Sequence, residues 1–121
     1  MILFLWYPKC STCQKAYKTL KENNVEIKTQ DIKTNPPTIE ELRKYWKQSG
    51  LELKKFFNTS GLIYKELNLK EKLAKMSEEE QLKLLSENGM LIKRPILIMD
   101  DEVIVGYNQV KYLNLGKGKI K

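Results

Sequence analysis

The chain has 121 residues, 41% hydrophobic and 31% charged, and its 22 Lys+Arg against 15 Asp+Glu give a formal net charge of +7. That length fits one domain, residues 1–121, burying roughly two-thirds of the surface its unfolded form exposes. The longest apolar run, Met1 to Tyr7, is too short for a membrane span and lacks the flanks of a secretory signal, so a soluble, cytoplasmic monomer is expected.

Met1 to Tyr7 is rich in Ile, Leu, Phe and Trp and reads as a buried strand ending at Pro8. From Ser11 the period changes, and Cys13, Ala16, Tyr17 and Leu20 mark one face of a helix that stops near Asn23-Asn24. Val25 to Gln30 alternates as a second strand, so the first thirty residues form a βαβ unit with parallel strands. Thr38 with Glu41 makes a capping box after Pro36-Pro37 and opens a helix running to Gly50. Leu51 to Leu69 predicts short helices around a turn at Asn58-Thr59-Ser60-Gly61. A second capping box, Ser77 with Glu80, starts another helix, and Asn88-Gly89 supplies its C-cap. Pro95 to Met99 and Val103 to Val105 form a hairpin across Asp100-Asp101, and Asn108 to Lys121 is at best a short helix with a basic end. The sum is an α/β chain: a four-stranded mixed sheet of thioredoxin type with a helical insertion at about 38–90.

The positive charge is written as 20 Lys and two Arg, spread along the chain. Base readout favours clustered Arg with aromatic interleaving, so a solvated lysine surface is expected and no specific DNA binding. In such a chain an Arg is a candidate for work that needs a planar fork, which singles out Arg94. There is no histidine, which removes Ser-His-Asp and Cys-His catalysis and the common zinc sites.

Cys10 and Cys13 stand at C-x-x-C spacing where the first strand hands over to the first helix. Zinc would need ligands from a second chain, and a structural disulfide would close a very small loop with little entropic gain. Chance burial would account for Cys13 on its apolar face, less so for Cys10. A redox pair has a mechanism at this place, because orphan N–H groups and the helix dipole favour a Cys10 thiolate, and Cys13 lies one turn along to resolve an adduct on it. Pro95 opens a buried strand; a cis Arg94-Pro95 bond would aim Arg94 at Cys10, while a trans bond would leave a surface arginine. Asn58, Thr59 and Ser60 are either a plain turn or neutral donors to the same pocket.

Cys10-Ser11-Thr12-Cys13-Gln14-Lys15-Ala16, Asn58-Thr59-Ser60-Gly61, Lys93-Arg94-Pro95-Ile96 and Val105-Gly106-Tyr107-Asn108 together resemble the arsenate reductase-like (ArsC) family, and more closely its Spx/MgsR-type branch. The resemblance spans nearly the whole chain and implies a thioredoxin/glutaredoxin-like fold with a helical insertion. It makes Cys10 the nucleophile and Arg94 one oxyanion-holding arginine. The second cysteine, Cys13, differs from the arsenate reductases proper, which use one nucleophilic cysteine, and matches the Spx-like dithiol. Ser11, Thr12, Asn58, Thr59, Ser60 and Pro95 are the expected substrate-binding set. The family's other two arginine positions fall near Asn58 and Tyr107, so the oxyanion clamp is depleted, and Lys54, Lys55 or Lys93 would replace it poorly. No bound cofactor or metal is implied; an external thiol reductant is, whether thioredoxin, glutaredoxin or glutathione. Spx-like members instead use the dithiol as a switch and bind the C-terminal domain of the RNA polymerase α subunit. Gly50 falls about where their polymerase-contacting glycine is expected, although a glycine there also serves as a helix C-cap.

Overall fold

A computed structural model describes the backbone of residues 2–120 and the side chains of residues 2–115. Met1, taken above into the first strand, and the basic side chains of Lys117, Lys119 and Lys121 lie outside the described residues. The elements in order are β1 (Ile2–Trp6), α1 (Ser11–Glu22), β2 (Ile27–Asp31), α2 (Ile39–Ser49), α3 (Leu62–Glu66), α4 (Leu69–Lys72), α5 (Glu78–Glu87), β3 (Ile96–Ile98), β4 (Val103–Val105) and α6 (Gln109–Ile120), with single 3₁₀ turns at Leu53–Phe56, Leu73–Lys75 and Gly89–Leu91.

The strands form one mixed sheet in the order β2-β1-β3-β4. β1 runs parallel to β2, with Ile2 opposite Ile27, and antiparallel to β3, with Phe4 opposite Leu97. β3 and β4 close a hairpin in which Leu97 faces Ile104. The two-residue side-chain period sorts the apolar residues between the two faces of the sheet. Phe4, Leu97 and Ile104 pack with Ala16 and Leu20 of α1 and Tyr112 of α6. Leu5, Ile96, Ile98 and Val103 pack on the other side against the helical insertion, with Leu42, Tyr45, Phe56, Tyr64, Leu82 and Leu85. Three layers result: α1 with α6, the sheet, and the insertion.

Both capping boxes form, Thr38 and Ser77 each accepting from the backbone N–H three residues on while Glu41 and Glu80 reach back. Gly50 ends α2 in the left-handed region at φ +69°, where a side chain is strained. Several boundaries differ from the sequence expectation. β2 begins two residues later than Val25, which instead caps the turn and is buried beside α1. Asn88 is the C-cap of α5, as expected, and the Gly89 after it opens a 3₁₀ turn packed so closely that a Cβ there would lie 1.7 Å from the Ile32 carbonyl oxygen. β3 is shorter than Pro95–Met99, and the last segment is a twelve-residue helix rather than a short one, because Tyr112 fills the space beneath the sheet beside α1. Among the described residues no helix is long and apolar enough to cross a membrane.

Candidate active site

The route from β1 to α1 is a tight turn. The Cys10 N–H donates to the Tyr7 carbonyl at 2.9 Å, and the Gln14 side chain donates to the Pro8 carbonyl at 2.8 Å, pinning the loop. Cys10 is the N-cap of α1, in extended conformation, and its side chain closes no capping hydrogen bond. A thiol in that place faces N–H groups that helix geometry leaves unpaired, at the positive end of a twelve-residue dipole with no acidic residue in its first turn.

The two thiols diverge in acidity. Partial burial works against a Cys10 thiolate, but the N–H of Cys13, the Cys13 thiol, the Arg94 side chain and the N–H of Thr12 outweigh it and hold Cys10 below the usual thiol value. Cys13 is fully buried, which pushes its pKa up to about 12; the nearby Cys10 sulfur adds to the rise, and the Tyr7 N–H works against it. That N–H donates to the Cys13 sulfur at 3.5 Å. The result is an ionisable thiol at the surface and a protonated one behind it.

Arg94 enters from the start of β3. The Arg94-Pro95 bond is cis, the first of the two alternatives, and the Pro95 carbonyl accepts from Gly106 at 2.8 Å. The guanidinium is anchored twice, donating to the Met90 carbonyl at 3.0 Å and lying 5.5 Å from the centre of the Tyr7 ring. These anchors leave the fork facing Cys10 and lowering its pKa.

Cys10 opens into a cleft of about 670 Å³ shared with Thr12, Asn58, Ser60, Lys93, Arg94 and Tyr107. Of the expected substrate-binding set, Thr12, Asn58 and Ser60 line this cleft, whereas Ser11, Thr59 and Pro95 do not. Ser11 is exposed on the outside of the first helical turn, Pro95 is buried beneath Arg94, and Thr59 lines a neighbouring cleft. Gly50 is exposed at the end of α2 and lines neither cleft. Asn58 is held by its own turn: Ser60 donates to its side-chain oxygen at 3.3 Å, and a Cβ at Gly61 would come within 2.8 Å of its amide nitrogen. Sequence reasoning missed Tyr7 and Met90 as the anchors of Arg94, and Leu62 as an exposed apolar wall of the cleft. Nothing local marks any of the three, since each acts through a contact made across the fold. Among the described residues no three His, Cys, Asp or Glu converge to hold a metal ion.

A parallel β1–β2 pair, an antiparallel hairpin and a C-x-x-C pair at the β1–α1 junction define a thioredoxin-like fold of the arsenate reductase type. The chain belongs to the ArsC family, whose model matches residues 5–115. It is 54% identical over 111 residues to YusI of Bacillus subtilis, covering 92% of this chain and 94% of that one. It is 31% identical over 118 residues to the regulatory protein MgsR of the same organism, covering 98% and 92%. A global transcriptional regulator Spx of Bacillus cereus matches at 27% identity over 90% of this chain and 82% of its own. Among solved structures, an ArsC-family-related protein of Bacteroides fragilis superposes with a TM-score of 0.90 at 52% identity, covering 94% and 96% of the two chains. An arsenate reductase of Vibrio cholerae, 24% identical over 93% of this chain and 95% of its own, shares the fold with a TM-score of 0.83.

Proposed function

We propose that the protein is a thiol–disulfide oxidoreductase in which Cys10 attacks, Cys13 resolves and Arg94 stabilises the anionic sulfur. The observation that carries the reading is the placement of the two thiols, Cys10 at the N-terminus of α1 opening into the cleft beside Arg94 and Cys13 fully buried behind it, which lowers the first pKa and raises the second. A Cys10 thiolate attacks one sulfur of a disulfide, forming a mixed disulfide and releasing the other half as a thiolate that takes up a proton. Cys13 then gives up its proton and attacks the Cys10 sulfur. The Cys10–Cys13 disulfide forms, the second half leaves as a thiol, and two electrons have passed to the substrate. An external thiol, from thioredoxin, glutaredoxin or glutathione, returns the pair to the reduced state.

Thr12, Asn58 and Ser60 would offer neutral hydrogen bonds to the substrate, with Pro95 setting the position of Arg94 and Ser11 and Thr59 flanking the site. With one arginine, already anchored to Met90 and Tyr7, arsenate is the less favoured oxidant. The test is a free-thiol count on reduced protein exposed separately to arsenate and to a small disulfide. Loss of two thiols to the disulfide, abolished in Cys10→Ser, supports the reading; retention of both thiols overturns it. The same loss to arsenate makes this an arsenate reductase.

A second reading is favoured by the similarity to MgsR over 98% of the chain and to Spx. In it the same dithiol gates binding to the C-terminal domain of the RNA polymerase α subunit, with exposed Gly50 at the contact. A pull-down with oxidised and reduced protein decides it. Binding that depends on redox state and is lost in Gly50→Arg supports the regulator; no binding in either state removes it.

A further inference from the structure

Beside the Cys10 cleft lies a second one of about 510 Å³, and the two share Lys93 and Val105 as a common wall. Its lining combines apolar Leu51 and Phe57 with Lys54 and Lys55, against a single carboxylate, Glu52. Across both clefts, among the described residues, Lys54, Lys55, Lys93 and Arg94 therefore meet one acid. None of the three lysines forms an ion pair within the described residues, where the pairs are Lys18 with Glu22 and Arg43 with Glu79. Two large hydrophobic side chains stay exposed on the walls, Leu51 in the second cleft and Leu62 in the first.

We infer that the joined clefts are one docking groove for an acidic polypeptide segment, laid beside the cysteine that it presents to Cys10. This rests on the oxidoreductase reading and adds the class of substrate: a protein disulfide flanked by Asp or Glu and an apolar residue. Charge complementarity selects the occupant. Unpaired lysines on one side of the nucleophile raise the encounter rate of an acidic chain and repel a basic one. The apolar part of the second cleft, exposed Leu51 with Val105 and the edge of Phe57, takes an apolar side chain, as peptide grooves do when a few pockets set specificity along an extended chain. A tetrahedral oxyanion would fill only the part of the first cleft next to Arg94 and would leave the second idle.

The test uses Cys13→Ser, in which the first exchange stops at the Cys10 adduct. Two nine-residue peptides, each with a central cysteine carried as its mixed disulfide with thionitrobenzoate, differ only in three Glu or three Lys beside one leucine. Release of thionitrobenzoate is followed in low salt. The acidic peptide is expected to react about tenfold faster or more, an advantage that shrinks severalfold at high salt. Because the whole chain is cationic, the advantage must fall in Lys54→Gln/Lys55→Gln and persist in Lys28→Gln/Lys70→Gln, which removes the same charge from positions lining neither cleft. Equal rates for the two peptides, or equal losses in the two double variants, overturn the groove. So does an acidic tripeptide disulfide that matches the nine-residue one, since it leaves the second cleft unused. Failure of every disulfide, including a small uncharged one, removes the Cys10 reading itself.

Discussion

The backbone N–H of Tyr7 donates to the Cys13 sulfur at 3.5 Å, and the same Tyr7 lays its ring against the Arg94 guanidinium. One residue at the end of β1 therefore touches both partners of Cys10. It donates to the Cys13 sulfur in its buried place and anchors the cation that lowers the Cys10 thiol. The asymmetry between the thiols follows from the burial of Cys13 and from the N–H groups of α1, the Cys13 thiol and Arg94 facing Cys10, while the Tyr7 N–H tempers it.

Selective alkylation checks it. At neutral pH a short exposure of the native reduced protein to iodoacetamide should label Cys10 and spare Cys13, and unfolding should make both reactive. Mass spectrometry of the digested chain reads the ratio; equal labelling of both thiols in the native state contradicts it.

The raised pKa of Cys13 also carries a stability consequence. An unfolded thiol titrates near 9.0 and the folded one at about 12, so the fold favours the protonated form. The contribution is intact below pH 9 and is lost as the pH climbs toward 12. The stability difference between the native chain and Cys13→Ala, measured by urea unfolding, should shrink across that window, while background lysine titration cancels.

Arg94 acts on Cys10 through a fork fixed by Met90 and Tyr7. Arg94→Gln removes the charge, raises the Cys10 pKa and should slow alkylation of Cys10 at pH 7 severalfold. Arg94→Lys should recover only part of this, since an ammonium cannot donate in the same plane. The thiolate absorbance near 240 nm, titrated with pH, separates the pKa effect from a loss of fold.

Two glycines separate local from long-range constraint. Gly50 needs its left-handed backbone, so Gly50→Ala should cost about 1 kcal/mol and Gly50→Asn less. Gly89→Ala would drive a Cβ to 1.7 Å from the Ile32 carbonyl oxygen and should cost about 2 kcal/mol or more. Thermal melts of the three variants give the order.

Tyr112 is fully buried, and its hydroxyl is, among the described side chains, the buried polar atom without a hydrogen-bond partner. Tyr112→Phe keeps the edge-on contact with Tyr107 at 5.0 Å and removes the unpaired group. The variant should be as stable as the native chain or more so, by about 1 kcal/mol. Clear destabilisation in urea would contradict this.

The same pairs of residues show what the sequence could and could not reveal. Caps at Thr38 and Ser77 act within four residues, and both were legible from spacing. The apolar runs of β1, β3 and β4 and the helical face of α1 placed the sheet and its first helix, and with them Cys10 at the helix start. Asn88-Gly89 reads locally as a C-cap and Asn88 is one, but the need for glycine at 89 comes from Ile32, far away in the chain. β2 misled because Lys28, Thr29 and Gln30 lie on an edge strand whose register is set by pairing with β1, whereas Val25 is buried by α1. Arg94 was singled out by rarity, but its anchors at Met90 and Tyr7 exist only once the sheet is built.

The measurement that tests the central claim most directly is the mass of the Cys13→Ser chain after exposure to one equivalent of a small disulfide, beside the native chain treated alike. The account predicts a stable adduct carrying half of the disulfide on Cys10 in the variant. In the native chain it predicts two fewer hydrogens, no adduct and a Cys10–Cys13 bond. An unmodified variant, or an adduct that persists in the native chain, would contradict the division of labour between the two cysteines.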